Sequence, residues 1–85
     1  MKVTIYSKSN CIHCESAKTL LDLKNIPYIE LKLDEDFTRE HLMEMFPSAR
    51  SFPVVVIDGF NIGGFDQLKS KLSEETESSA KLLNE

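Results

Sequence analysis

A single pair of cysteines, Cys11 and Cys14, stands between a segment that alternates like a strand and one that repeats like a helix, and the chain has no other cysteine. Any fold must therefore turn from sheet to helix at that point and hold two sulfurs together there. Secreted domains of comparable size are held by several disulfides at dispersed positions, so the lone cluster Cys11-Ile12-His13-Cys14 points instead to chemistry or metal binding in a reducing compartment. The 85 residues make one small domain, since domains run to about 100–150 residues. A chain this short buries roughly 60–65% of its unfolded surface, which leaves one modest core and a shallow active site.

The 10 basic and 14 acidic side chains give a formal net charge of -4 and include no Lys/Arg run. That balance leaves no electrostatic footprint for nucleic acid or an anionic membrane. Apolar runs such as Val54-Val55-Val56-Ile57 fall far short of the roughly 20 residues that span a bilayer, and the N-terminus lacks a charged-then-apolar signal pattern. The expectation is a cytoplasmic, mature, monomeric protein.

Lys2-Val3-Thr4-Ile5-Tyr6 alternates polar with β-branched or aromatic residues and predicts a strand, closed by the polar cluster Ser7-Lys8-Ser9-Asn10. From Cys11, the apolar positions Ala17, Leu20, Leu21 and Leu23 predict a helix of about 13 residues, stopped by Asn25 and barred from continuing by Pro27. Tyr28 to Leu33 alternates again. Asp34-Glu35-Asp36 then leads into a second helix carrying Phe37, Leu42, Met43 and Phe46, which must end near Pro47. Pro53 to Ile57 suits a strand buried on both faces, and Asp58-Gly59 predicts a hairpin turn before Phe60-Asn61-Ile62. Gly63-Gly64 breaks that strand, and Phe65-Asp66-Gln67-Leu68 opens a last helix through Leu72. The order βαβαββα predicts an α/β fold with a four-stranded mixed sheet, its first crossover parallel and its hairpin antiparallel. Residues 1–75 form the domain and 76–85 a polar, frayed tail.

At a helix start, residues three apart share a face with Cβ atoms roughly 5–6 Å apart, so Cys11 and Cys14 can close a disulfide with little backbone movement. Cys11 takes the place of a capping oxygen, where its thiolate accepts the orphan N–H groups of the first turn and feels the positive end of the helix dipole. Its pKa should fall below the usual value of about 8.5. Lys8 and His13 favour the same anion, and residues 1–25 carry four lysines against Glu15 and Asp22. Cys14, a turn inside, is expected to be less exposed and less acidic, which makes Cys11 the nucleophile and Cys14 the resolving thiol. Two other uses stay open: an inert structural pair, or half a zinc site completed by His13 and His41. Against zinc, there is no second C-x-x-C and no H-x₃₋₅-H spacing. His41 reads as a surface helix residue, and Tyr6 as a strand-end residue under the site.

With Tyr6-Ser7-Lys8 before Cys11-Ile12-His13-Cys14, Ser51-Phe52-Pro53 before an apolar strand, and Gly63-Gly64-Phe65-Asp66-Gln67-Leu68 before the last helix, residues 1 to about 72 resemble the glutaredoxins. Their Tyr-(Ser/Thr)-Lys, Cys-Pro-Tyr-Cys, Thr-Val-Pro and Gly-Gly-x-Asp-Asp-Leu motifs occur in the same order. The compact length and the Gly-Gly-Phe-Asp-Gln-Leu string are also similar to glutaredoxins of large tailed phages. The resemblance implies a thioredoxin-like fold and a glutathione-dependent thiol-disulfide oxidoreductase, with glutathione as reducing co-substrate and no metal. Its clients would be glutathione mixed disulfides and disulfide-containing proteins such as ribonucleotide reductase. Where the family has proline and tyrosine inside the motif, this chain has Ile12 and His13, and Phe52 is bulkier than the family's valine.

By the same resemblance, Lys8 and Arg39 would meet the glycine carboxylate of glutathione. Phe52 would offer its backbone groups to the glutathione cysteine across a cis Phe52-Pro53 bond, and His13 would line the groove. Gly64 and Phe65 would present N–H groups at a helix start to the γ-glutamyl carboxylate, and Asp66 would take its ammonium. Family potentials of about -200 to -230 mV lie near estimates of the cytosolic glutathione pool, so the reaction can run either way. Three rival functions remain: a thioredoxin-type reductase fed by a flavoprotein, a carrier in which two subunits hold a [2Fe–2S] cluster through Cys11 and two glutathiones, and a small zinc-dependent interaction module.

Overall fold

The structure, a computed structural model, describes residues 1–49 and 51–73; the expected tail at 76–85 lies outside them. Strand β1 (Val3–Ser7) leads to helix α1 (Ile12–Leu23), strand β2 (Tyr28–Lys32), helix α2 (Arg39–Met45), and the strands β3 (Val54–Ile57) and β4 (Phe60–Gly63). A further helix, α3, opens at 65 and continues to 73, where the described residues end. The sheet order is β2-β1-β3-β4. β1 runs parallel to β2 and antiparallel to β3, and β3 and β4 form the antiparallel hairpin. This is the expected four-stranded mixed sheet of a thioredoxin-like α/β fold.

Both faces of the sheet are covered, which is why all four residues of β3 are buried. Val55 and Ile57 join Val3, Ile5, Ala17, Leu21, Leu68 and Leu72 on the face of α1 and α3. Val54 and Val56 join Phe37, Leu42 and Ala49 on the face of α2, with Tyr6, Leu31, Phe46 and Phe52 packed around them. The alternation of β1 thus sends odd positions to one core and Tyr6 to the other.

Local chemistry sets the ends of the elements. Asn25 adopts a positive φ of 57°. Its N–H donates to the Asp22 carbonyl at 3.1 Å, and the Ile26 N–H to the Leu21 carbonyl at 2.9 Å. Together these are the two bonds of a Schellman stop with asparagine in place of glycine. Asp58 and Gly59 both carry positive φ, 51° and 88°, as a two-residue type I′ hairpin requires.

Four expectations at the residue level are corrected. Phe37 is not on the second helix: it forms an isolated parallel bridge with Leu33, and the Asp34 N–H donates to its carbonyl at 2.7 Å. α2 instead starts after Thr38, whose Oγ1 accepts the His41 N–H at 3.2 Å. Ser7 belongs to β1 rather than to the closing turn, and Gly63 is the last residue of β4 rather than part of the break that follows it. Leu23, counted in the apolar stripe of α1, is 76% exposed, because two residues beyond the buried Leu21 it falls on the opposite face of the helix. No helix among the described residues is long and apolar enough to cross a membrane.

Candidate active site

β1 and α1 meet at a tight turn in which Asn10 takes a positive φ of 54°. Cys11 follows as the N-cap of α1, with extended backbone and a sulfur that accepts the Cys14 N–H at 3.2 Å. Sulfur therefore stands where serine or aspartate oxygen usually caps a helix. The two cysteines are joined in a disulfide, with Cα atoms 5.2 Å apart. Cys14 is 1% exposed, whereas Cys11 is only half-buried, so access alone distinguishes the two sulfurs.

Around Cys11 the chain brings together segments far apart in sequence. The Phe52-Pro53 bond is cis. Lys8 Nζ lies 5.9 Å from the centroid of the Phe52 ring and the Arg39 guanidinium carbon 5.6 Å from it, while Phe37 supports the ring with centroids 6.2 Å apart. Two cations are thus gathered at one aromatic ring, each within reach of cation–π attraction. His13 turns the other way and stacks on Phe65 at 6.3 Å and 26°.

A groove of about 420 Å³ beside Cys11 is lined by Lys8, His13, Arg39 and Phe52 among others. A second, of about 290 Å³, is lined by His13, Phe52, Pro53, Gly64, Phe65 and Asp66 together with Ser51 and Gln67. Because His13, Ser51 and Phe52 border both, Cys11 and the residues expected to meet glutathione fall on one continuous surface, whereas Cys14 is buried and Tyr6 and His41 lie outside it. Volumes of this size suit a small flexible ligand rather than a large cofactor.

Gln67 lines this surface and was not anticipated. Its Oε1 accepts the Gly64 N–H at 2.9 Å, the reach of a third helical residue back to the N-cap. One of the N–H groups expected to meet a carboxylate is therefore already occupied. The Gly-x-x-Gln spacing of Gly64 and Gln67 is the sequence signal that could have found it. Gly63 has a φ of 114°, and a Cβ there would lie 2.8 Å from the Gln67 side chain, so this close turn admits only glycine.

Beneath α1 lies a polar network that the sequence also left unread. Lys18 Nζ sits 2.9 Å from Glu15 Oε1 and 2.9 Å from Glu30 Oε2, and the buried Ser7 hydroxyl donates to Glu30 at 2.8 Å. Burial pushes the Glu30 carboxyl up, but the hydrogen bonds from Lys18 and Ser7 outweigh it and hold the group below its ordinary value. The hydrogen bonds to Glu30 and then Glu15 raise the Lys18 ammonium. His41 is exposed on α2. Among the described residues no group of three or more His, Cys, Asp or Glu side chains is arranged to hold a metal.

Comparison with known proteins agrees with this geometry. Residues 3–62 match the Glutaredoxin family. The chain is 35% identical to Glutaredoxin 3 of Escherichia coli over 66 residues, covering 78% of this chain and 80% of that protein. It is 38% identical to the glutaredoxin-like protein NrdH of Lactococcus lactis over 65 residues, covering 74% of this chain and 86% of that protein. Among solved structures, a buckwheat glutaredoxin-glutathione complex superposes with a TM-score of 0.74 at 27% identity, over 86% of this chain and 69% of that one. With its redox cysteine pair at the start of α1, the chain belongs to the glutaredoxin family of thiol-disulfide oxidoreductases.

Proposed function

We propose that the chain is a glutathione-dependent reductase of glutathione mixed disulfides and protein disulfides, acting in the cytoplasm as a monomer, with ribonucleotide reductase among its clients. The observation that carries this reading is the groove beside Cys11, which has the Lys8–Phe52–Arg39 cluster on one side and Gly64, Phe65 and Asp66 on the other. That spacing of positive charge, the cis Phe52-Pro53 turn and a helix start with a carboxylate suits a tripeptide with a carboxylate at one end and an α-amino acid at the other. In the reduced protein the Cys11 thiolate attacks the sulfur of a mixed disulfide. A bond forms between Cys11 and the glutathionyl sulfur, and the client thiolate leaves and takes up a proton. A second glutathione thiolate then attacks the glutathionyl sulfur, releasing glutathione disulfide and the Cys11 thiolate. With a protein disulfide, Cys14 instead displaces the client from Cys11 and closes the intramolecular disulfide. Two assays run side by side test this: turnover of a small mixed disulfide coupled to glutathione and its reductase, and turnover coupled to thioredoxin reductase. The expected result is activity in the first, and activity in the second alone overturns the proposal.

One observation favours a second reading, a redoxin fed directly by a flavoprotein. The Gly64 N–H is taken by Gln67, which removes a donor from the γ-glutamyl end, and the chain is also similar to an NrdH protein. The same pair of assays separates the two.

A further inference from the structure

Ser7, the last inward residue of β1, and Cys14, the first buried residue of α1, are each 1% exposed. Cys14 and Lys18 are four residues apart on α1 and so share one face of that helix, while Ser7 ends β1, the strand that leads into α1. Ser7 is the one buried polar residue among the described residues, and its hydroxyl is spent on Glu30. Lys18, one turn beyond Cys14 on α1, completes the group, with its side chain 17% and that of Glu30 22% exposed. Glu15 is bound to Lys18 from the solvent side at 72%. Two carboxylates and one ammonium leave this network with one excess negative charge.

Other titratable groups are less well placed to influence Cys14. Tyr6 packs into the opposite core, β3 and β4 carry no ionisable side chain, and Asp66, Lys69 and Lys71 of α3 are exposed. Tyr28 and Lys32 share β2 with Glu30, Lys8 stands over the Phe52 ring, and the exposed His13 stacks on Phe65. Excess negative charge near a buried thiol disfavours its thiolate.

We propose that the Ser7–Glu30–Lys18 network is a positioning device for the resolving thiol. Its charges set how much of Cys14 is thiolate, and so whether a disulfide between Cys11 and a partner is released by Cys14 or waits for an incoming thiol. The inference rests on the division of roles between the two cysteines given above. In the release step the Cys14 thiolate attacks Cys11 Sγ, the Cys11–partner bond breaks, the Cys11–Cys14 bond forms, and the proton given up by Cys14 ends on the departing partner thiolate. No outside oxidant or reductant is needed. A protonated Cys14 prolongs the mixed disulfide and favours the single-cysteine route, because only the thiolate is nucleophilic.

The test titrates Cys14 by thiolate ultraviolet absorbance in a Cys11→Ser background, with Glu30→Gln or Lys18→Met added. Removing the carboxylate should lower the Cys14 midpoint and removing the ammonium should raise it. Each shift should be about one pH unit, the size expected of a unit charge near a partly solvated site. Lys18→Arg should restore the parent midpoint. If Lys18→Met or Glu30→Gln does not fold, Glu15→Gln, which changes an exposed member of the network, should still lower the midpoint by a smaller amount. A network that only fastens α1 to the sheet would move both midpoints in the same direction or leave them unchanged while melting temperature falls, and either result overturns the proposal. Because the titration contains no glutathione, its outcome is separate from that of the glutathione-coupled assay.

Discussion

Replacing Phe52 by valine removes the ring that gathers Lys8 and Arg39 and puts a smaller, β-branched residue before Pro53. The ring centroid lies 5.9 Å from Lys8 Nζ and 5.6 Å from the Arg39 guanidinium. Both cations are exposed, so each contact is worth about 0.5–1 kcal/mol. Without the ring, each cation must be ordered when ligand arrives, at about 0.5–1.5 kcal/mol per side chain. The ring can supply no more pre-ordering than its own attraction, so the loss is limited to about 1–2 kcal/mol, or a rise of about 5- to 30-fold in the glutathione KM. The turnover number should hardly change, because neither cation touches the reacting sulfurs. Loss of the ring contact with Phe37, 6.2 Å between centroids, should lower stability by about 0.5–1.5 kcal/mol. Steady-state kinetics over a glutathione series, with melting curves of the same samples, make the comparison. An unchanged KM with a reduced turnover number would show that the cluster does not hold the carboxylate.

Cys14→Ser should retain reduction of a glutathione mixed disulfide, lose most turnover of a protein disulfide and accumulate a client adduct on Cys11, whereas Cys11→Ser should abolish both; mass spectrometry and the two assays check this. The Glu30 carboxyl is held below its ordinary value of 4.5 by Lys18 and Ser7 despite its burial, so it adds stability above that pH that is lost as pH falls through its lowered value. Acid denaturation of Glu30→Gln should accordingly show a shallower decline below about pH 4.5 than the parent. The raised Lys18 ammonium adds stability that is present below its ordinary value and lost as alkaline pH passes the raised one, and Lys18→Met should remove that alkaline limb from a stability profile. Gln67→Ala breaks the bond to Gly64 and should cost about 0.5–1.5 kcal/mol in chemical denaturation, while the released N–H leaves the glutathione KM equal or lower; a higher KM would show that Gln67 itself contacts glutathione.

The fold was legible largely because its signals are local. Cys11 as a cap, Asn25 as a stop and Asp58-Gly59 as a turn each act within a few residues, and each is where the sequence places it. Phe37 misled because its apolar side chain fits a helical stripe with Leu42 and Phe46. Its backbone is instead captured by the Leu33 bridge, and Thr38 supplies the real cap. Arg39 and Phe52 were brought together by family resemblance rather than by any pattern within the chain. The contact of Ser7 with Glu30 joins residues 23 apart and depends on the parallel register of β1 and β2, which alternation alone does not determine. Gln67 is legible in principle, since a glutamine three residues after the N-cap can reach back to its N–H, as it does at Gly64.

The place of β1 in the sheet bears on how the chain folds as it is synthesised. Ile5 pairs with Glu30 on one side and with Val55 on the other. The β1–α1–β2 unit can close once the first third of the chain has emerged, but the second edge of β1 must wait for a strand made much later. Through that interval an apolar strand presents unpaired backbone groups, the condition under which nascent chains associate with one another. Such distant pairing also raises contact order and slows closure. β3 is made well after β1 and β2, so the delay before it docks on β1, rather than any step at the cysteines, sets how long the nascent chain is exposed to association with its neighbours.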